Sequence, residues 1–138
     1  MPKLRQWFLC LSSAWLVACG GGGADLAESS IKLANTQWTS DAGQTLTFEG
    51  IAAIQGFAGC NTYRGQAVLD TSRITLTPQL LTNVYCTPGV DSQSTTIMDG
   101  EASFLNALKS ASHWRIDQGR LVLLDAQGNA VLSLKTRS

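Results

Sequence analysis

Four cysteines and one histidine, His113, are the residues of this chain best suited to covalent or metal chemistry. A thiolate can accept an acyl or diacylglycerol group, bind a soft metal, act as a nucleophile or join a second sulfur, and its surroundings decide which. Cys10 and Cys19 lie within the first twenty residues. Cys60 and Cys86 lie deep in the remainder. Two sulfurs with one histidine and no C-x-x-C spacing make a poor zinc set. A catalytic thiol needs a base beside it, and nothing in the sequence brings His113 to either cysteine. There is no G-x-S-x-G elbow, no H-E-x-x-H pair and no phosphate-cradling loop. Catalysis, a metal and an organic cofactor are therefore not expected.

The surroundings of Cys19 are specific. Lys3 and Arg5 precede an apolar run from Trp7 to Val17, and Ala18 stands directly before the cysteine. The layout is that of a cleavable export signal, and the run is about half the roughly 20 residues a membrane-spanning helix needs. Leu16, Val17, Ala18 and Cys19 resemble the lipobox of bacterial lipoprotein signal peptides, in which cleavage precedes the cysteine and lipid is attached to its sulfur. Leu16 is too large for the small-residue pattern of ordinary secretory cleavage. The expectation is a signal peptide over residues 1–18, a lipidated Cys19 with a flexible tether over 19–34, and a domain over 35–138. The tether reading rests on Gly20–Gly23 and a weakly apolar stretch to Ser30. Gly20 in place of Asp after the cysteine resembles the sorting signal for the outer membrane. The expected location is thus the cell envelope, anchored by lipid to the outer membrane and facing the periplasm.

Loss of Lys3 and Arg5 tips an otherwise balanced chain two charges to the acidic side. No basic footprint for nucleic acid remains. Lys109, Arg115, Arg120, Lys135 and Arg137 concentrate positive charge near the C-terminus, where a solvated face is the simpler reading. With Cys10 discarded and Cys19 lipidated, Cys60 and Cys86 are an even pair in an oxidising compartment. A disulfide worth about 3 kcal/mol is the simplest outcome. Free buried thiols, a metal site and a nucleophile remain the alternatives.

The elements that must position these residues are mostly strands. Leu46 and Phe48 alternate with Thr45 and Thr47, and Ile74 and Leu76 with Thr75 and Thr77, as half-buried strands do. Pro78 is expected to end the second of these, and Leu80–Cys86 reads as either a strand or an irregular crossing. Between Ser92 and Ser112 the period becomes helical, with Ile97, Met98, Phe104, Leu105 and Leu108 apolar. Asp91 or Ser92 is the candidate cap, Gly100 weakens the middle, and Asp99 and Glu101 are expected on the outer face. Turns at Asp117–Gly119 and Asp125–Asn129 then separate three runs, His113–Ile116, Arg120–Leu124 and Ala130–Leu134, in an antiparallel meander.

Gly56, Ala58, Gly59, Cys60, Asn61, Tyr63 and Gly65 resemble the glycine-rich Gly-Cys-Asn signature of the META domain, the family of the heat-inducible lipoprotein HslJ. Trp38 resembles that family's first-strand tryptophan, and Thr82–Cys86 its Thr-x-x-x-Cys segment. Glu101, Phe104, Leu105 and Leu108 resemble its helix pattern, while Leu121, Leu123, Asp125 and Gly128 resemble its C-terminal landmarks. The resemblance spans roughly residues 35–135, and Thr87–Gly100 is longer and more polar than the pattern. It implies a mainly β (α+β) domain, a cracked-barrel-like antiparallel sheet with one helix inserted between two β blocks, similar in outline to pilot lipoproteins of secretion systems. It implies envelope or stress-linked roles such as novobiocin tolerance, through contacts with another envelope protein and without enzyme activity.

The signature also has a reading of its own. Gly56, Gly59 and Gly65 permit positive φ or close backbone contact, and Asn61 can bond its own backbone in a bend. Cys60 would pin that bend to the segment before the helix, which makes the motif a device for building the fold. The alternatives are a groove for a small hydrophobic ligand or lipid, lined by some of Trp38, Phe48, Phe57, Tyr63, Tyr85, Phe104 and Trp114, or a pilot-like assembly factor for a secretion component.

Overall fold

The computed structural model of the protein describes residues 32–86 and 94–137. The expected signal peptide, Cys19, most of the expected tether and the candidate caps Asp91 and Ser92 lie outside the described residues. In chain order the elements are β1 (Gln37–Thr39), β2 (Thr45–Glu49), β3 (Ala53–Phe57), β4 (Thr62–Leu69), β5 (Ile74–Leu80), helix α1 (Ser94–Ser110), β6 (His113–Asp117), β7 (Arg120–Leu124) and β8 (Ala130–Thr136). Among the described residues the eight strands form one sheet in the order β5-β4-β3-β2-β1-β8-β7-β6. Each neighbouring pair is antiparallel. The C-terminal meander joins the N-terminal one through β8 against β1, with Trp38 opposite Thr136.

The sheet curls until its two edges meet at one corner. There Arg73 bridges His113, the Ile74 N–H donates to the Ser112 carbonyl at 3.1 Å, and the Trp114 N–H donates to the Ser72 carbonyl at 2.9 Å. No ladder joins the rest of those edges among the described residues, so the barrel is cracked, as expected. Helix α1 packs against β5 and β8.

Alternation explains the strands. In β2, Leu46 and Phe48 point to the core while the threonines between them do not, and in β5 Ile74, Leu76 and Pro78 are buried. Each large side chain moved from water to the core contributes about 1.5–3 kcal/mol. From the helix, Phe104 and Leu108 enter the same core, and the Phe104 ring tilts at 59° against Tyr63 with centroids 6.1 Å apart.

Two boundaries differ from the expectation. Strand β5 runs through Pro78 to Leu80, and Leu81–Cys86 is irregular. The Ala67 N–H bonds toward β3, to Ala52. Gly65, two residues before it, faces the same way. Its partner Pro78 therefore sits at a non-hydrogen-bonded position on an edge strand, where a missing N–H costs nothing. At the other boundary, Leu33 was expected in the tether but is fully buried in the core. Asn35, at φ 58°, ends that first turn, and its Oδ1 accepts the Gly50 N–H at 3.0 Å.

The C-terminal turns are as expected. Gln118 and Gly119 both have positive φ, 48° and 75°, the geometry of a two-residue type I′ hairpin. Asp125 Oδ1 accepts the Gln127 and Asn129 N–H groups at 2.9 Å. The Asn129 backbone bond is the main cause that holds the Asp125 carboxyl below its ordinary value.

Candidate functional site

The signature residues converge at one end of the sheet, where β3 turns into β4 and the helix crosses. Gly56 and Gly65 lie within regular strands, and both are required for close approach. A Cβ at Gly56 would collide with the Thr45 carbonyl and stand 2.8 Å from the Tyr63 hydroxyl. One at Gly65 would collide with the Thr77 carbonyl. Tyr63 lies opposite Gly56 in the ladder and fills the space the glycine leaves, its hydroxyl donating to the Thr45 carbonyl at 2.7 Å. Burial pushes that phenol well above its ordinary value.

Gly59 adopts φ 131°, and the helix lies directly on it, with Glu101 Cβ and the Ile97 carbonyl oxygen each 3.7 Å from where a Cβ would stand. The bend aims two successive N–H groups at the helix. Both reach one oxygen, Oε2 of Glu101: Cys60 at 3.0 Å and Asn61 at 2.6 Å. The other carboxylate oxygen accepts Asn61 Nδ2 at 2.9 Å. Glu101 is only 4% exposed. The expectation that it sits on the outer face of α1 is therefore corrected: it shares the buried stripe with Phe104 and Leu108, because the bend supplies donors that a buried carboxylate must have. Asp99 is exposed, as expected.

Asn61 corrects a second expectation. Its side chain bonds across the structure and not to its own backbone. Oδ1 accepts the Val84 N–H at 2.7 Å and the Thr82 hydroxyl at 2.9 Å, while Nδ2 also donates to the Val84 carbonyl at 2.9 Å. All four bonding positions of the amide are used. Thr82 Oγ1 accepts in turn the Thr62 N–H at 3.1 Å. Cys60 is joined to Cys86 in a disulfide with Cα atoms 5.9 Å apart, so the 82–86 segment is fastened by both a covalent and a hydrogen-bonded link.

A third link holds the helix. Gln44, buried in the β1–β2 turn, donates from Nε2 to the Gly100 carbonyl at 3.1 Å and accepts the Ser40 hydroxyl at 2.7 Å. No local pattern marks Gln44 or Val84, whose roles depend on partners far along the chain. Glu101 was detectable, because it falls on the helical stripe Ile97, Phe104, Leu108. Of the predicted site residues, Gly56, Gly59, Cys60, Asn61, Gly65 and Cys86 come together. Cys19 lies outside the described residues, and His113 stands apart at the start of β6. Among the described residues no three His, Cys, Asp or Glu side chains gather as a metal ligand set.

The sequence profile of the META domain family matches residues 25–138, nearly the whole of the chain. The chain belongs to the META domain family. The network just described is thus built from the residues on which the likeness rested, and in this META domain they fasten a bend, a segment and a helix together. No curated protein sequence matches the chain significantly. Among solved structures, the chain is similar to the NMR structure of a protein from Burkholderia xenovorans, with 20% identity, a TM-score of 0.58, and coverage of 80% of this chain and 88% of that one. At that identity the likeness bears on the fold alone.

Proposed function

We propose that this META domain is a cell-envelope lipoprotein, acylated on Cys19 and held at the outer membrane facing the periplasm, that acts through protein contacts and performs no chemistry of its own. The observation that carries the reading is the saturated network around Glu101. The buried carboxylate and the amide beside it spend their bonding capacity on Cys60, Asn61, Thr82 and Val84, which makes them a scaffold and leaves neither free to serve as a general acid or base. The Cys60–Cys86 bridge suits an oxidising compartment.

What the scaffold presents is apolar. Phe57, Leu80, Leu81, Val84 and Tyr85 are all exposed, and Tyr85 is 62% exposed on the segment that Asn61 and the disulfide hold rigid. Rigid, exposed aromatic and aliphatic groups are what a protein partner recognises. The family likeness points to envelope integrity and tolerance of stress or of novobiocin-like antibiotics as the role.

Growth with radioactive palmitate tests the anchor: label is expected in the native protein and absent after Cys19→Ser, and an unlabelled native product overturns the reading. Cells lacking the gene are expected to become sensitive to novobiocin and to be rescued by the native chain but not by Tyr85→Asp. Full rescue by that variant overturns the contact role assigned to this surface.

A further inference from the structure

Strands β1 to β5 turn their large apolar residues inward and carry amides and hydroxyls on the other face. The registers align five polar side chains in one row across the sheet: Gln37 stands opposite Thr47, Thr47 opposite Gln55, Gln55 opposite Arg64 and Arg64 opposite Gln79. None of the five is buried. Four inter-strand steps give the row a length of about 19 Å.

The row borders a hollow. The β2–β3 ladder ends at the Thr47–Gln55 pair. Beyond it the Thr45 carbonyl is taken by the Tyr63 hydroxyl at 2.7 Å, and the Phe57 N–H donates to Thr45 Oγ1 at 2.9 Å. The strands part there around a cavity of about 390 Å³, lined by Thr45, Thr47, Gln55, Phe57, Arg64 and Leu81 among others. Arg64 is exposed, and among the described residues its guanidinium has no ion pair and no hydrogen bond. The carboxylate of Glu49 is held by Gln55 Nε2 on the β2 side of the row, whereas Arg64 stands on the β4 side.

We propose that this row and hollow bind an acidic glycan, a chain of sugars that carries acetamido groups and a carboxylate. The Arg64 fork pairs a carboxylate through two parallel hydrogen bonds. Gln and Thr side chains both donate and accept, as sugar hydroxyls and acetamido groups do. Phe57, 39% exposed at the rim, offers a ring to the apolar side of a sugar. Other occupants match the row less well. A protein-binding patch has an apolar centre, and here the centre is polar. An extended peptide draws its affinity from main-chain bonds to a strand edge, and β2, β3 and β4 lie inside the sheet. Inorganic phosphate would use Arg64 and leave the rest of the row idle. The chemistry stands without the lipid anchor. The envelope reading adds a source, the bacterial wall, whose N-acetylated sugars carry lactyl carboxyl groups and short acidic peptides.

Amide NMR of the native chain in mild detergent tests the site. The probe is a disaccharide of two N-acetylated amino sugars, one bearing a lactyl ether carboxylate. Its counterpart without the lactyl group and inorganic phosphate are the controls. The acidic disaccharide is expected to shift the Thr47, Gln55 and Arg64 amides and to bind at least about tenfold more tightly than either control. Arg64→Gln, a change on the solvent side of β4, is expected to weaken it by at least about tenfold with the fold intact. Unmoved amides overturn the proposal, as does equal affinity for the neutral disaccharide or an undiminished Arg64→Gln. Phosphate binding as tightly overturns it by leaving an adventitious ion only. Tighter binding of an extended peptide of matched charge overturns it by assigning the row to a protein. Palmitate labelling reads the anchor separately: sugar binding by an unlabelled chain leaves the site standing and removes only the wall as its source.

Discussion

Glu101 takes the backbone N–H of Asn61 at 2.6 Å and its side-chain amide at 2.9 Å, although the two residues are forty positions apart. The contact ties the helix to the β3–β4 bend more tightly than apolar packing could, because it satisfies donors that have no alternative partner. Glu101→Ala leaves the Cys60 and Asn61 N–H groups without an acceptor. A loss of about 3 kcal/mol is expected, and about 2 kcal/mol for Glu101→Gln, which keeps one acceptor but turns a donor toward donors. Urea denaturation measures both, and a loss below about 1 kcal/mol for Glu101→Ala would show that water replaces the carboxylate.

The disulfide and the Asn61 amide hold the same segment by independent means. Closing a loop with a sequence separation of 26 stabilises the fold by about 3.5 kcal/mol on the chain-entropy model. Reduction, or Cys60→Ser with Cys86→Ser, is expected to lower stability by that order. The bonds from Asn61 to Val84 should persist in the reduced folded state. An Asn61 side-chain amide resonance that keeps its shift after reduction supports two separate fastenings, whereas collapse to a solvent-exposed shift would show that the covalent link positions the hydrogen bonds.

Three glycines respond oppositely to the same change. Gly56→Ala and Gly65→Ala drive a methyl into the Thr45 and Thr77 carbonyls, which belong to strand backbone and cannot rotate away. A loss of about 2–3 kcal/mol or more is expected for each. At Gly100 the nearest atom is Gln44 Nε2 at 3.7 Å, so a methyl fits. Gly100→Ala is expected to stabilise the helix by about 0.5–1 kcal/mol. Thermal melts of the three variants decide the matter, and a stabilised Gly56→Ala would contradict the close approach.

The sheet and helix were legible because their signals are local. Alternation in β2 and β5, the change of period after Ser92 and the turns at Asp117–Gly119 and Asp125–Asn129 need only near neighbours in sequence. Pro78 misled because its tolerance depends on which edge of β4 it faces, a property of the whole ladder. Leu33 misled for a similar reason, since a single leucine after a polar stretch acquires a core only when β1 and β8 are in place. At the site, the glycines and cysteines declared themselves by type. Glu101 and Asn61 were visible as positions but not in their roles, because a charged residue on a helix is ordinarily solvated and an asparagine in a bend ordinarily bonds its own backbone. Their burial follows from each satisfying the other.

Tyr63 makes the stability of the fold sensitive to alkali in a way that one substitution isolates. Its phenol is buried, and burial raises its ionisation above the ordinary value of 10.0 that the unfolded chain retains. The stabilisation that comes from keeping this group neutral is whole below pH 10, and it is lost as pH rises from there toward the raised folded value. Over that window the native protein loses up to about 1.4 kcal/mol per pH unit through this group. Tyr63→Phe removes the hydroxyl, and at pH 7 it should cost about 1 kcal/mol because the Thr45 carbonyl loses its donor. By pH 11 the variant has escaped the ionisation that weakens the native protein, so the gap between them should close. Urea titrations of both proteins at pH 7 and pH 11 give the comparison, and an unchanged gap would mean that the phenol ionises in the folded state as readily as in water.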